Sequence, residues 1–211
     1  MVGSLPPVTV PLPRRPLDES DQVRRWYENE LGWPVVPANE GEPENRRTAV
    51  RLRTGLRFDV LDVPAEAGRA TLRHLAAGSP VAVQGDRMRL LVAAGSAEEL
   101  PGVLRWLEWG ALALDLAVLG EGGLMDAPLP PAGGPAGARP PAPGRPGVLQ
   151  GAAVWLRPPG PGCEVEASLP TVSALGGGGG APDLVRVVDT VATQCHRLRL
   201  VRACAQPLAF S

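Results

Sequence analysis

Two aspartates three residues apart, Asp59 and Asp62, lie in the stretch GLRFDVLDVPAEAGRATLRHL, which runs from Gly55 to Leu75. The stretch reads as a strand followed by a helix, and Pro64 suits the first turn of that helix. Carboxylates at a strand end can share a divalent cation, because Mg²⁺ takes hard oxygen ligands and few protein groups. Strand alternation opposes this, since residues i and i+3 point to opposite faces. The pair converges only if the strand ends between them. Otherwise Asp59 faces solvent and Asp62 caps the next helix, and the residues alone favour that simpler reading. A third acid, Asp115, interrupts the apolar run LALDLAVL. Alternation puts Leu112, Leu114 and Leu116 on one strand face and Asp115 on the other, beside Ala113 and Ala117. That is the wall of a pocket or, more simply, a solvated face.

Arginines offer a second chemistry. Arg46, Arg47, Arg51, Arg53 and Arg57 cluster ahead of the first acid, and Arg51 and Arg53 share one face of a strand. Such a set binds phosphates or merely keeps the surface soluble, and the two readings are close. Arg186, Arg197, Arg199 and Arg202 crowd a closing helix, where solubility is the better reading. His74 and His196 fall inside predicted helices, flanked by arginine, and read as surface or boundary residues. The neighbouring Cys195 and His196 diverge by about 100° on a helix and make a poor chelate. No G-x-S-x-G, H-E-x-x-H or C-x-x-C pattern occurs.

All 21 basic residues are arginine, and isoleucine is absent as well, which fits a GC-rich coding sequence. Without a lysine amine, nucleophilic-lysine and P-loop chemistries are excluded. The formal net charge of −1 gives no strong global attraction to DNA or membrane. Three cysteines, Cys163, Cys195 and Cys204, are an odd number and favour reduced thiols. Prolines break up the N-terminal stretch MVGSLPPVTVPLPRRP, so it lacks the apolar core of a signal peptide. The run GALALDLAVLG is too short for a membrane span and carries Asp115. The expectation is a soluble cytoplasmic protein with no membrane partner, its oligomeric state left open.

The elements that must position these residues alternate. Residues 1–19 form a Pro-rich flexible tail, and 128–147, nearly all Pro, Gly and Ala, form a disordered insertion. Ser20 caps a helix carrying Val23, Trp26, Tyr27 and Leu31, which Gly32 ends. TAVRLR and RFDVL are strands. VAVQGDRMRLLVA is a hairpin about Gly85–Asp86. SAEELPGVLRWLEWG is helical, starting afresh near Pro101. LALDLAVLGEGGLMDAPL is a second hairpin, turning at GEGG and sharing a sheet with the first. GAAVWLRPP is a late strand, and Asp183 to about Arg202 is the closing helix. Helices mixed with hairpins predict an α+β fold, a single domain over 20–211 with a mixed, largely antiparallel sheet and flanking helices.

The order LGWPVVP, FDVLDVPAEAG, GDRMRLLVA, LDLAVLGEGGLMDAPLP, GAAVWLRPP resembles the bifunctional DNA primase/polymerase N-terminal (prim-pol) domain of the archaeo-eukaryotic primase superfamily. The resemblance spans roughly Ser20 to Pro159. It implies template-directed nucleotidyl transfer by an acid-x-acid pair, a hairpin histidine and a third acid. Asp62 matches the first acid and Asp115 the third. The second acid falls on Pro64, the histidine on Met88 or Arg89, and the family's lysine has no counterpart. What remains is the shell of a two-metal site, which needs clustered carboxylates to hold both ions. The expectation is therefore a catalytically degenerate domain. Asp62 and Asp115 would hold one Mg²⁺ or Mn²⁺ weakly. Arg51, Arg53, Arg57 and Arg89 would meet single-stranded DNA or nucleotide phosphates. Arg89 would crowd the acids or pair with one of them. Two alternatives stand beside it: an active atypical polymerase using Asp59, Asp62 and Asp115, and a non-enzymatic module binding a protein partner.

Overall fold

A computed structural model describes residues 19–36, 50–131, 152–160, 164–172 and 181–204. Among the described residues the fold is α+β, with two antiparallel sheets and five α-helices in one compact domain. The expected tail lies outside the described residues except for Glu19, as does the expected insertion beyond Pro131.

The larger sheet is built on β3 (Phe58–Pro64) and the hairpin of β4 (Val81–Gln84) and β5 (Arg87–Ala93). With β6 (Ala117–Leu119) and β8 (Val154–Arg157) its order is β6-β3-β5-β4-β8, every neighbour antiparallel. The smaller sheet joins β1 (Val35–Val36), β2 (Arg51–Arg53) and β7 (Leu124–Asp126), also antiparallel. The only parallel pairings among the described residues are the isolated bridges Leu129–Val154 and Thr171–Asp183. The expected mixed sheet is thus two antiparallel ones.

Both faces of the larger sheet are covered, which is why its central strands read as nearly continuous apolar runs. On one face Leu61, Val63, Met88, Leu90 and Val92 meet three helices. These are α2 (Ala65–Thr71), α3 (Ser96–Trp106) and α5 (Leu184–Cys204). Helix α5 buries Leu184, Val187, Val188, Val191 and Cys195, the stripe a 3.6-residue period predicts. Asp183 caps it, its Oδ1 accepting from the Val185 amide at 2.9 Å. On the other face Phe58, Val60, Ala82 and Leu91 meet the smaller sheet and α1 (Glu19–Arg25), which continues as a π-helical turn to Glu30. Tyr27, Leu31 and Trp33 fill this second core, and Gly32 ends the helix at φ +63°. The short α4 (Glu164–Ala167) closes it with Val165.

Two expected elements differ. Helix α3 starts at Ser96 and runs through Pro101 rather than starting there. A proline costs the helix one backbone bond, and Asp59 supplies an amide partner at the N-terminus, accepting from Ala97 at 2.8 Å. The second hairpin does not form. β6 pairs with β3 and β7 with β2, so the two strands belong to different sheets. The GEGG turn is where the chain crosses between them. It is clasped by the other crossing, Thr54–Gly55: the Thr54 hydroxyl donates to the Gly120 carbonyl at 2.5 Å, and the Thr54 amide to the Gly123 carbonyl at 2.9 Å. Glycine is needed at the contact, because a Cβ on Gly55 would lie 2.2 Å from the Glu121 backbone.

The first residues of the expected insertion belong to the fold. The Tyr27 hydroxyl donates to the Pro128 carbonyl at 2.6 Å, and the Trp155 indole N–H donates to the Tyr27 hydroxyl at 3.1 Å. No described helix is long and apolar enough to cross a membrane.

Candidate functional site

The second face of the larger sheet is apolar at one end and polar at the other. Ladder register places Ala117, Asp62, Arg89, Ala82 and Trp155 in one row across β6, β3, β5, β4 and β8. The next row holds Pro64, Arg87 and Gln84. The hairpin turn fixes this register. Gly85 takes φ +58°, so Gln84 pairs Arg87, and period-two alternation sends Arg87 and Arg89 to the Asp62 side. The Asp86 carbonyl accepts from the Ala65 amide at 2.7 Å and anchors the turn to the start of α2.

Asp62 is gripped from two sides. Arg87 Nε meets Asp62 Oδ1 at 2.6 Å, and Arg89 Nε meets Asp62 Oδ2 at 3.2 Å. Arg87 reaches further, donating from Nη2 to the Asp62 backbone carbonyl at 2.9 Å and from Nη1 to Asp115 Oδ1 at 2.6 Å. Burial works against the Arg87 charge, but the bonds and charges of Asp62 and Asp115 outweigh it and raise its pKa above the ordinary arginine value. Arg89 is mostly buried, and its Nη1 has no hydrogen-bond partner among the described residues. Gln84 Nε2 donates to Asp126 Oδ2 at 2.9 Å, joining the two sheets, and Asp126 is the register partner of Arg51.

Asp62 and Asp115 do come together, but the Arg87 guanidinium lies between them. A divalent ion bridging the pair would have to displace it, and no group of three or more His, Cys, Asp or Glu side chains converges among the described residues. The residues as placed fit a guanidinium and do not fit an ion. Asp115 is also not on a strand. It sits in a bend ahead of β6, and the residue paired with Asp62 is Ala117. The alternation read through LALDLAVL fails because that backbone serves α5. Arg199 donates to the Ala113 carbonyl at 3.0 Å, and the Cys195 thiol approaches the Asp115 carbonyl at 3.4 Å. Arg202 lies 3.8 Å from Asp115 Oδ2. A groove of about 140 Å³ opens here between Pro64, Asp115 and α5.

Neither assignment expected for Asp59 and Asp62 holds. Asp59, expected in solvent, is buried on the helix-packed side, where it caps α3. Burial pushes its carboxyl pKa up, against the lowering effect of the Ala97 amide. Asp62, expected to cap the next helix, makes no such bond; Pro64 holds the cap position of α2 with no side-chain hydrogen bond. The opposite-face argument for the two acids holds.

Of the arginines, Arg89 joins the acid cluster as expected. Arg51 and Arg53 share a face of β2, Arg51 half-buried and Arg53 exposed. Arg57 stands apart, in an ion pair with Glu166 of α4 at 2.8 Å. His74 accepts from Arg73 Nε at 3.0 Å, and His196 lies beside the Trp109 ring, so neither joins the cluster. Cys195 is buried and its thiol is pushed up to about 11, chiefly by burial and then by Asp115. Cys204 is exposed, and Cys163 lies outside the described residues. Sequence reasoning missed Arg87, Gln84 and Asp126. The signal for Arg87 was present, since a two-residue turn at Gly85–Asp86 fixes which hairpin residues face Asp62.

The chain matches no protein-family model, no curated protein and no solved structure.

Proposed function

We propose that this domain is a catalytically degenerate prim-pol-like domain that binds single-stranded DNA or nucleotide phosphates. The observation that carries the reading is the polar face of the larger sheet. There Arg87 and Arg89 stand on either side of Asp62, and the Gln84–Asp126 bond links that face to the strand partner of Arg51. The resemblance in motif order supports it, as does the pairing of the acid-bearing strand with the following hairpin. Arginine forks suit phosphate oxygens, which they bind through paired hydrogen bonds. Mg²⁺ or Mn²⁺ binding at Asp62 and Asp115 is not part of this reading, since Arg87 occupies the same oxygens. The alternative of an active polymerase using Asp59 is disfavoured by its place on the opposite face, under α3.

The test is anisotropy of a labelled single-stranded oligonucleotide, and of a labelled nucleotide, across a salt series. Affinity should fall as salt rises, with a slope that flattens by about one unit per phosphate contact removed. Arg51→Ala and Arg89→Ala should flatten it most and Arg57→Ala, whose partner is Glu166, least. The absence of binding at low salt would favour a protein-interaction module. The exposed Trp106 and Val201, 70% and 66% accessible, are the observation on that side.

A further inference from the structure

Three oxygens converge on one guanidinium: Asp62 Oδ1 at 2.6 Å, the Asp62 backbone carbonyl at 2.9 Å and Asp115 Oδ1 at 2.6 Å. Carboxylate and carbonyl oxygens are the ligand set of Mg²⁺ and Mn²⁺. The Asp62 side chain is 16% exposed and that of Arg87 28%, while that of Asp115 is 50%, so the Asp62 and Arg87 charges are the ones largely withdrawn from water and need each other as counter-charge. We infer that Arg87 is a built-in cation, occupying an oxygen cage that would otherwise admit a divalent ion and fastening the 113–116 bend to the sheet. The inference concerns the cage alone and does not depend on whether the domain binds nucleic acid.

The connections out of the cage say what the fastening does. Asp115 carries Arg87 on one oxygen and faces Arg202 of α5 with the other. Its carbonyl meets the Cys195 thiol, and two residues earlier the Ala113 carbonyl accepts from Arg199. Arg87 is therefore a side-chain link from the sheet to a bend that also leans on α5 and leads into β6. A metal ion could make the same link only when bound; a covalently attached guanidinium makes it permanently and at any metal concentration. Its five donors in a plane allow it to satisfy both carboxylates and the carbonyl together. Lysine, with a single point charge, could not span all three.

The inference predicts that removing the guanidinium opens the cage to metal. The experiment uses the full chain and Mn²⁺ as the probe, with thermal melting and paramagnetic resonance of free Mn²⁺ as readouts. The parent should show no Mn²⁺-dependent change in Tm. Arg87→Met, which keeps the apolar stem, should lower Tm by about 5 °C. Millimolar Mn²⁺ should then restore about 2 °C or more and lose part of its free signal. Adding Asp115→Asn to that variant should abolish the Mn²⁺ response. Arg87→Lys, which retains a charge, should melt between parent and Arg87→Met and remain unresponsive. If Arg87→Met does not fold, Arg87→Gln takes its place with the same expected Mn²⁺ response. Mn²⁺ binding to the parent that depends on Asp115 would overturn the inference, and so would a folded Arg87→Met variant indifferent to Mn²⁺.

Discussion

The two faces of β3 treat their acids in opposite ways. On the helix-packed face Asp59 is buried, meets the Ala97 amide and has no arginine partner among the described residues, and burial disfavours its ionised form. On the other face Asp62 is held between Arg87 and Arg89, each pairing with one of its carboxylate oxygens. One carboxylate serves as a helix cap and the other as the hub of an ion-pair cluster, although they are three residues apart on one strand. Residue type therefore says little about role here. The role follows from which layer each face meets: helices α3 and α5 on one side, the smaller sheet and open solvent on the other.

The comparison can be broken most easily through the core that separates the faces. Leu61 is fully buried between the two acids and points into the helix layer. Leu61→Ala should cost about 3 kcal/mol and lower Tm by roughly 6–12 °C. A loss under a third of that in thermal or urea unfolding would mean the helix layer is not packed as described.

Next in size is Asp62→Ala, which strips the shared partner from two arginines. Because the cluster is not fully enclosed, the loss is discounted from that of a buried pair to about 2 kcal/mol. Asp62→Asn should cost less, since its amide oxygen still accepts from one arginine. Equal melting of parent and Asp62→Ala would show that the cluster contributes nothing to the fold.

Asp59 should respond differently. Asp59→Ala loses the cap on α3, at about 1 kcal/mol. Asp59→Asn keeps an acceptor and removes the charge, so it should be near neutral at pH 7. The pH dependence sharpens the contrast. A folded-state pKa raised above the unfolded value means that the contribution of Asp59 to stability is fully present below the unfolded pKa. It is lost as pH rises through the raised folded value. Urea unfolding of the parent, less that of Asp59→Asn, should therefore show a contribution that declines as pH rises from below the ordinary aspartate range to above it. A contribution that grows over that range would reverse the assignment. The smallest effect belongs to Arg53→Ala, an exposed residue of β2, within about 0.5 kcal/mol of the parent in stability.

Much of the fold was legible in the sequence. The Gly85–Asp86 turn flanked by alternating residues identified the β4–β5 hairpin. The apolar period from Leu184 identified α5, and Gly32 marked the end of the first helix. Strand alternation correctly separated Asp59 from Asp62. It could not say which face meets helices, because a strand covered on both sides reads as apolar throughout, and so neither acid's role was legible. The split of β6 and β7 into different sheets was also hidden. A glycine turn between two apolar runs signals a hairpin locally, while the clasp of GEGG by Thr54 and Gly55 joins residues about 66 positions apart. Asp115 was misread for a related reason: its backbone answers to Cys195 and Arg199, far along the chain. Arg87 is legible from turn length alone, whereas the histidine position that the prim-pol resemblance implies falls on Met88 or Arg89.

On the proposed reading, the face carrying Asp62 has arginine pairing in place of metal chemistry. Incorporation of labelled nucleotide on a primed template, with Mg²⁺ or with Mn²⁺, tests it most directly. The parent should incorporate no more than the variant carrying Asp62→Ala and Asp115→Ala. Incorporation by the parent that vanishes in that variant would contradict the claim.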